Sequence, residues 1–374
     1  MYFGEGIVRK DASSFVNPWV RNAAPYSARH MDFAWSHPEI MRMMSNENPL
    51  PPSDAVLEAL TAAAREGNLY PGSGEELRTR IAAREGADFC ADNVVLGNGS
   101  TDMIDVVVKT FVAPGERVLL SVPTFSMYEA RIRIAGGEPV MVPMTPEFYW
   151  DVDALLQAAA EDIQLIFICT PNNPIGCQIK EGDLRRLLDL GIPIFIDEAY
   201  FELENDPVSH AGMIHEYPHA IINRTMSKAF GLAGFRVGYL LAQEQLCQYF
   251  NRVKIPWNVS LPALAAAGAA LQDEQDQALK RETTLSGRRW LQQEINAIPG
   301  MKAIDSEGNF VLIDASALGK GSEEIRDDML ARGVFIRPMS PHHMPEGYVR
   351  VTIGTADQNA RFLQHFRAYV QDVS

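Results

Sequence analysis

The sequence predicts an α/β fold, with a mostly parallel central sheet in a large domain and a smaller α+β domain after it. Three observations carry that prediction. From about residue 52, stretches of helical periodicity alternate with short apolar runs. Those runs are continuously apolar instead of alternating, the pattern expected when helices cover both faces of a sheet. The chain has 374 residues, more than one compact core usually holds.

Taken in order, residues 55–65 read as a helix opened by a Ser53-Asp54 cap. A strand at 94–96 and a helix at 101–111 follow, then a strand at 118–122, a helix at 125–134 and a strand at 139–142. Pro and Gly turns separate them. The alternation continues with a helix at 152–160, a strand at 165–169, a helix at 181–190 and a strand at 192–196. Strands at 220–223 and 237–241 complete the set. After Pro256 the texture changes. Helices are expected at 263–271, 278–298, 322–332 and 358–373, with strands at 310–313, 334–336 and 348–353. This gives a large domain over 52–256 and a small one over 257–374. The aromatic- and Pro-rich residues 1–51 are expected to pack on the small domain.

The formal net charge of −15 argues against nucleic acid or an anionic membrane surface as partner. No apolar run is long enough to span a bilayer, and the first ten residues do not read as a secretory signal. The four cysteines form no Cys-x-x-Cys pair, so neither a disulfide framework nor a zinc site is expected. A cytoplasmic location is the expectation.

Ligands of open α/β sheets bind at the carboxyl ends of strands, and four segments there carry chemistry. In residues 97–101, Gly99 turns the chain into a helix start where backbone N–H groups and the Ser100 and Thr101 hydroxyls can cradle an anion. A glycine turn with a Ser/Thr cap is also commonplace. In Thr170-Pro171-Asn172-Asn173-Pro174, a rigid turn can present Asn173 inward, or can be only an Asn-Pro turn. Asp197 ends a fully apolar strand, where it can pair with a cation, keep a pyridine nitrogen protonated, or cap a helix. Asn173 could donate to a phenolate oxygen of a bound ring, and Tyr200 can reach the same oxygen. The fourth segment, residues 223–236, holds Lys228 flanked by Thr225 and Ser227 and followed by Arg236. Its amine can form a Schiff base with an aldehyde while the hydroxyls and guanidinium hold a phosphate. That combination suits pyridoxal phosphate. An isolated Ser-Lys pair would more simply be a surface lysine; four such segments together favour the cofactor.

These segments resemble a fold-type-I pyridoxal-phosphate enzyme of the aminotransferase class I/II superfamily, and most closely the histidinol-phosphate aminotransferase family. The likeness runs nearly end to end, through Ser45-Asn46-Glu47-Asn48-Pro49-Leu50, Tyr70-Pro71-Gly72-Ser73-Gly74, Pro123-Thr124-Phe125-Ser126-Met127-Tyr128-Glu129 and Arg350-Val351-Thr352-Ile353-Gly354-Thr355. The resemblance implies that Lys228 binds the cofactor covalently and shuttles the substrate proton. It implies that Asp197 pairs with the pyridine nitrogen and that Asn173 and Tyr200 bond the phenolic oxygen. Gly99, Ser100, Thr101, Thr225, Ser227 and Arg236 would hold the phosphate, and Phe125 would stack on the ring. Tyr70 would reach the neighbouring subunit's phosphate, which implies a homodimer with shared sites. Arg350, Arg337 and Tyr26 would bind substrate, with Asn173 beside them. For Arg337 a salt bridge at a strand end is the competing reading. The implied reaction moves an amino group from an amino acid or a histidinol-phosphate-like amine to a 2-oxo acid. The alternative is a lyase, decarboxylase or cyclase on the same cofactor.

The sequence departs from the family pattern in three places. Ile175 stands where Thr is usual after Asn-Asn-Pro, and Thr101-Asp102 replaces an acidic pair. Ser340-Pro341-His342-His343-Met344 stands where relatives often have a Tyr-Gly turn, between Arg337 and Arg350. Loop residues or a polar lining for a different side chain are the two readings of His342 and His343.

Overall fold

The computed structural model describes residues 11–24 and 28–373. Its centre is a seven-stranded sheet in the spatial order Val94–Gly97, Gly238–Leu241, Ala220–Thr225, Ile194–Asp197, Ile163–Cys169, Arg117–Val122 and Glu138–Pro143. Only Gly238–Leu241 runs antiparallel to its neighbours. The others are parallel, so their carboxyl ends share one edge.

The continuous apolar runs have the cause expected of them. Ile194 and Ile196 face one buried cluster with Ile166, Ile168 and Ile222. Phe195 between them faces a second cluster, with Phe167, Leu165 and Ile221. Side chains alternate across a strand, so a strand between two cores must be apolar at every position.

The smaller part carries a four-stranded antiparallel sheet in the order Arg337–Pro338, Tyr348–Thr352, Phe310–Asp314, Lys302–Ile304. Its core joins Leu291 and Ile295 of helix Glu274–Asn296, Met329 of Ser322–Ala331 and Phe362 and Phe366 of Ala356–Val373. Met41 and Met43 enter the same core, and Met41–Arg42 pairs in parallel with Val334–Phe335.

Several sequence expectations need correction. The strand expected at 334–336 is two short pieces in different sheets, because Val334–Phe335 pairs with Met41–Arg42 while Arg337–Pro338 pairs with Tyr348–Thr352. Helix Leu261–Gln272, beyond the boundary expected at 256, buries Ala263, Ala266, Ala267 and Ala270 in a core of the large sheet. Helices Glu75–Glu85 and Glu244–Val253 and strand Lys302–Ile304 were not anticipated. Glu75–Glu85 buries only Leu77, Ile81 and Ala82, too thin an apolar stripe to stand out among its charges.

Candidate active site

A cavity of about 390 Å³ opens where the carboxyl ends of the parallel strands meet the small sheet and the segment around residue 46. Its walls include Ser100, Thr101, Phe125, Asn173, Asp197, Tyr200, Thr225, Ser227, Lys228, Arg236, Arg337 and Arg350. Twelve of the residues singled out from sequence thus converge on one volume. Gly99 lies behind it: a Cβ there would meet the Arg236 guanidinium at 2.2 Å, and its φ is +78°. Tyr70 does not reach the cavity of its own chain. It is 81% exposed and stacks on Trp257, ring centroids 4.8 Å apart. Tyr26 lies outside the described residues.

Each wall has a local cause. Gly99 caps helix Ser100–Phe111, so the first backbone N–H groups of that helix are aimed at the cavity mouth of the turn. Asp102 fixes the turn by accepting from Asn98 N–H at 2.8 Å and from Asn258 Nδ2 at 2.7 Å, which gives this departure from the family a structural role. Across the turn, Thr225 Oγ1 lies 2.9 Å from Ser227 Oγ and accepts from Ser227 N–H at 3.2 Å. Arg236 Nη1 donates to Ser227 Oγ at 3.3 Å and to the Ala233 carbonyl at 3.0 Å. Hydroxyls, a helix N-terminus and a guanidinium make an anion cradle.

Asp197 sits at the last position of its strand and is buried. No helix begins there to be capped; its carboxylate accepts from Tyr128 Oη at 2.5 Å, Asn223 Nδ2 at 2.8 Å and Ala199 N–H at 3.2 Å. Burial pushes its pKa up, and those three donors oppose the rise. Neither Tyr128 nor Asn223 was expected as a site residue. Tyr128 follows Phe125 by three positions and meets it edge-on at 5.6 Å, a helical spacing that would have found it.

Lys228 Nζ donates to the carbonyls of Asn46 at 3.0 Å and Ser45 at 3.3 Å. Burial first, then the Arg350 charge, lowers its pKa to about 8. Asn46 has φ +54° and also donates from Nδ2 to Tyr200 Oη at 2.9 Å. It is a wall residue for which the sequence motifs imply no role. Asn173 Oδ1 accepts from Arg350 Nη1, which turns the amide nitrogen of Asn173 away from that guanidinium. Arg350 Nη2 also donates to the Met44 carbonyl at 3.0 Å. Arg350 and Arg337 are directly opposite in the antiparallel pair of the small sheet, so both leave the same face.

The wall formed by helix Arg29–Ser36 was not legible in the motifs. Helix Arg29–Ser36 supplies His30, Met31 and Trp35, with Arg42 lying 4.8 Å over the Trp35 ring and pairing with Glu47 at 2.7 Å. His342 lines the cavity, while His343 points outward, half exposed, with Nε2 3.4 Å from Glu129 Oε2. Ile175 packs with Leu312, Met339 and Met344 below that turn.

Residues 38–366 match the aminotransferase class I and II family, and the chain belongs to it. A histidinol-phosphate aminotransferase from Symbiobacterium thermophilum is 35% identical over 334 residues, covering 88% of this chain and 90% of the relative. The solved histidinol-phosphate aminotransferase from Clostridium acetobutylicum superposes with a TM-score of 0.82 at 25% identity, over 89% of this chain and all of the other. The one from Sinorhizobium meliloti, determined with pyridoxal 5′-phosphate, gives a TM-score of 0.85 at 23% identity, over 96% and 99% of the two chains.

The chain is a pyridoxal-phosphate-dependent aminotransferase of this family. The residues present fit the cofactor. An amine of lowered pKa, a buried carboxylate and an anion cradle are the three groups that an aldehyde, a pyridine nitrogen and a phosphate require. The cradle also demands glycine at 238, where a Cβ would fall 2.5 Å from Ser100 N and 2.6 Å from Gly99 C. Among the described residues no helix is long and apolar enough to cross a membrane, and no group of His, Cys, Asp and Glu could hold a metal ion.

Proposed function

We propose that the enzyme is a homodimer that moves the amino group of histidinol phosphate, or a close anionic amine, to a 2-oxo acid such as 2-oxoglutarate. Both substrates would use the same cavity in turn. The observation that carries the reading is the Arg337–Arg350 pair. Like charges directly opposite on one face of a sheet repel, and the arrangement is useful when an anion lies between them. The cavity as a whole is cationic, lined by Arg42, Lys228, Arg236, Arg337 and Arg350 against Glu47 and Asp197, in a chain of net charge −15. Arg236 with Ser100, Thr101, Thr225 and Ser227 would take the cofactor phosphate, and Arg337 and Arg350 are assigned to the substrate.

When bound, the cofactor supplies an electron sink that acidifies the carbon bearing the amino group. In this reading Asp197 faces the cofactor's ring nitrogen. A cation there would reverse the burial effect and keep the carboxylate charged, with Tyr128 and Asn223 holding its two oxygens in place. Asn173 and Tyr200 are assigned to the phenolic oxygen, and Phe125 to the ring face. Lys228 Nζ, poised between charged and neutral forms near pH 8, takes the proton from the amino-bearing carbon and returns it on the other side of the reaction. Arg350, braced by Asn173 and the Met44 carbonyl, orients the substrate's anionic end. The helix Arg29–Ser36 closes the cavity against water.

The dimer is supported by Tyr70 and Trp257, a large stacked aromatic pair left exposed on one chain. A cytoplasmic location belongs to the same reading. A screen of amino donors on the purified enzyme tests it: with 2-oxoglutarate as acceptor, histidinol phosphate should be turned over with a kcat/KM well above those of phenylalanine and arginine-like amines. Preference for an uncharged or cationic side chain would contradict the assignment.

A further inference from the structure

The turn at residues 340–344 interrupts the wall between Arg337 and Arg350, and its two histidines do different things. His343 adopts φ +60°, which carries the chain outward to Glu129. His342 ends the short 3-10 turn Ser340–His342 and lines the cavity with both arginines. The turn is pinned on every side. His342 N–H donates to the Met339 carbonyl at 2.9 Å, and Ser340 N–H donates to Ser322 Oγ at 3.2 Å. Met339 and Met344, flanking the turn, are buried with Ile175 and Leu312. Ile175 thus accompanies the altered turn: an apolar side chain at that site supports the two methionines that hold His342 at the cavity wall.

We propose that His342 is a specificity-determining residue that makes the cavity prefer a phosphate monoester to a carboxylate, by placing a third nitrogen beside the Arg337–Arg350 pair. The inference rests on the amine-transfer reading above and deepens it. A carboxylate has two oxygens and one negative charge, which two guanidinium groups satisfy fully. A phosphate monoester has three terminal oxygens and close to two charges, so it leaves an oxygen for a third donor. Burial and the charges of Arg337, Arg350 and His343 hold the His342 pKa down to about 4. Near neutral pH it is therefore an uncharged ring that adds one N–H without adding to the repulsion between the arginines. In a cycle where an amine phosphate and a 2-oxo acid take turns in one cavity, such a residue separates the two by their anionic ends.

The test uses the holoenzyme and its His342→Ala, His342→Gln and His343→Ala variants. The two half-reactions, histidinol phosphate on one form and 2-oxoglutarate on the other, are followed separately by stopped-flow absorbance. Inorganic phosphate and acetate serve as competitive inhibitors. Loss of one hydrogen bond to a charged group should lower the ratio of the two specificity constants by about tenfold to a hundredfold in His342→Ala. His342→Gln should fall between, and His343→Ala should match the parent enzyme. The inhibition constant for inorganic phosphate should rise by a similar factor while that for acetate moves little. An unchanged ratio, equal losses in both half-reactions, or an unchanged phosphate inhibition constant would overturn the role. If the parent enzyme ignores histidinol phosphate, the amine-transfer reading fails by itself, and the phosphate-to-acetate inhibition ratio still decides for or against His342.

Discussion

At the scale of single residues, burial and neighbouring charge set the protonation of the site, and hydrogen bonds fix its geometry. Lys228 is the clearest case. Desolvation and the neighbouring Arg350 charge bring its amine down to about 8, and the Asn46 and Ser45 carbonyls hold it in place. Only the neutral amine attacks an aldehyde. The rate of cofactor incorporation into apoprotein should therefore climb about tenfold per pH unit below that value and level off above it, read from the growth of visible absorbance. A flat profile between pH 6 and 9 would show that the amine is not the titrating group. Arg350 carries a separate expectation. Arg350→Ala removes a charge-assisted contact to an anionic substrate, so KM should rise about tenfold or more, with steady-state kinetics as the check. A KM equal to the parent's would place the substrate's anionic end elsewhere.

At the scale of elements, the cofactor cradle is made where two turns nearly touch. Gly238 opens the one antiparallel strand of the seven-stranded sheet and lies against the Gly99–Ser100 backbone. Gly238→Ala drives a Cβ into backbone atoms that cannot rotate away, so stability should drop by about 1–3 kcal/mol and cofactor affinity should fall with it. Chemical denaturation and cofactor titration measure the two, and wild-type values in both would contradict the geometry. The strands that carry the cradle were legible because a sheet covered on both faces needs apolar residues at every position, as at Ile194, Phe195 and Ile196. The motifs at their ends were legible because turn chemistry and polar side chains recur together there. What was not legible has a common physical cause. Asn46, Asn223 and the helix bearing Trp35 act through contacts made across long separations, and no local periodicity marks them. Likewise the alanine-rich helix Leu261–Gln272 gives no sign of which core it joins, since its small residues fit either.

At the scale of the whole molecule, an acidic chain surrounds a cationic cavity set between its seven-stranded and four-stranded sheets. Anionic substrates are thus favoured inside and repelled elsewhere on the surface. The single chain leaves Tyr70 and Trp257 exposed. If Tyr70 completes the cavity of a second copy, two inactive variants should rescue each other. Lys228→Ala keeps a good Tyr70, and Tyr70→Ala keeps a good Lys228, so a mixed dimer holds one intact site. Activity that returns on mixing and subunit exchange is the expected outcome. Mixtures no more active than the sum of their parts would remove Tyr70 from any shared site.

The most direct measurement is to reduce the cofactor-loaded enzyme with borohydride and map the modified peptide by mass spectrometry. A single pyridoxyl-phosphate adduct on Lys228, absent from Lys228→Ala protein of unchanged circular dichroism, is the predicted result. An adduct on another lysine, or none at all in enzyme saturated with cofactor, would contradict the account at its centre.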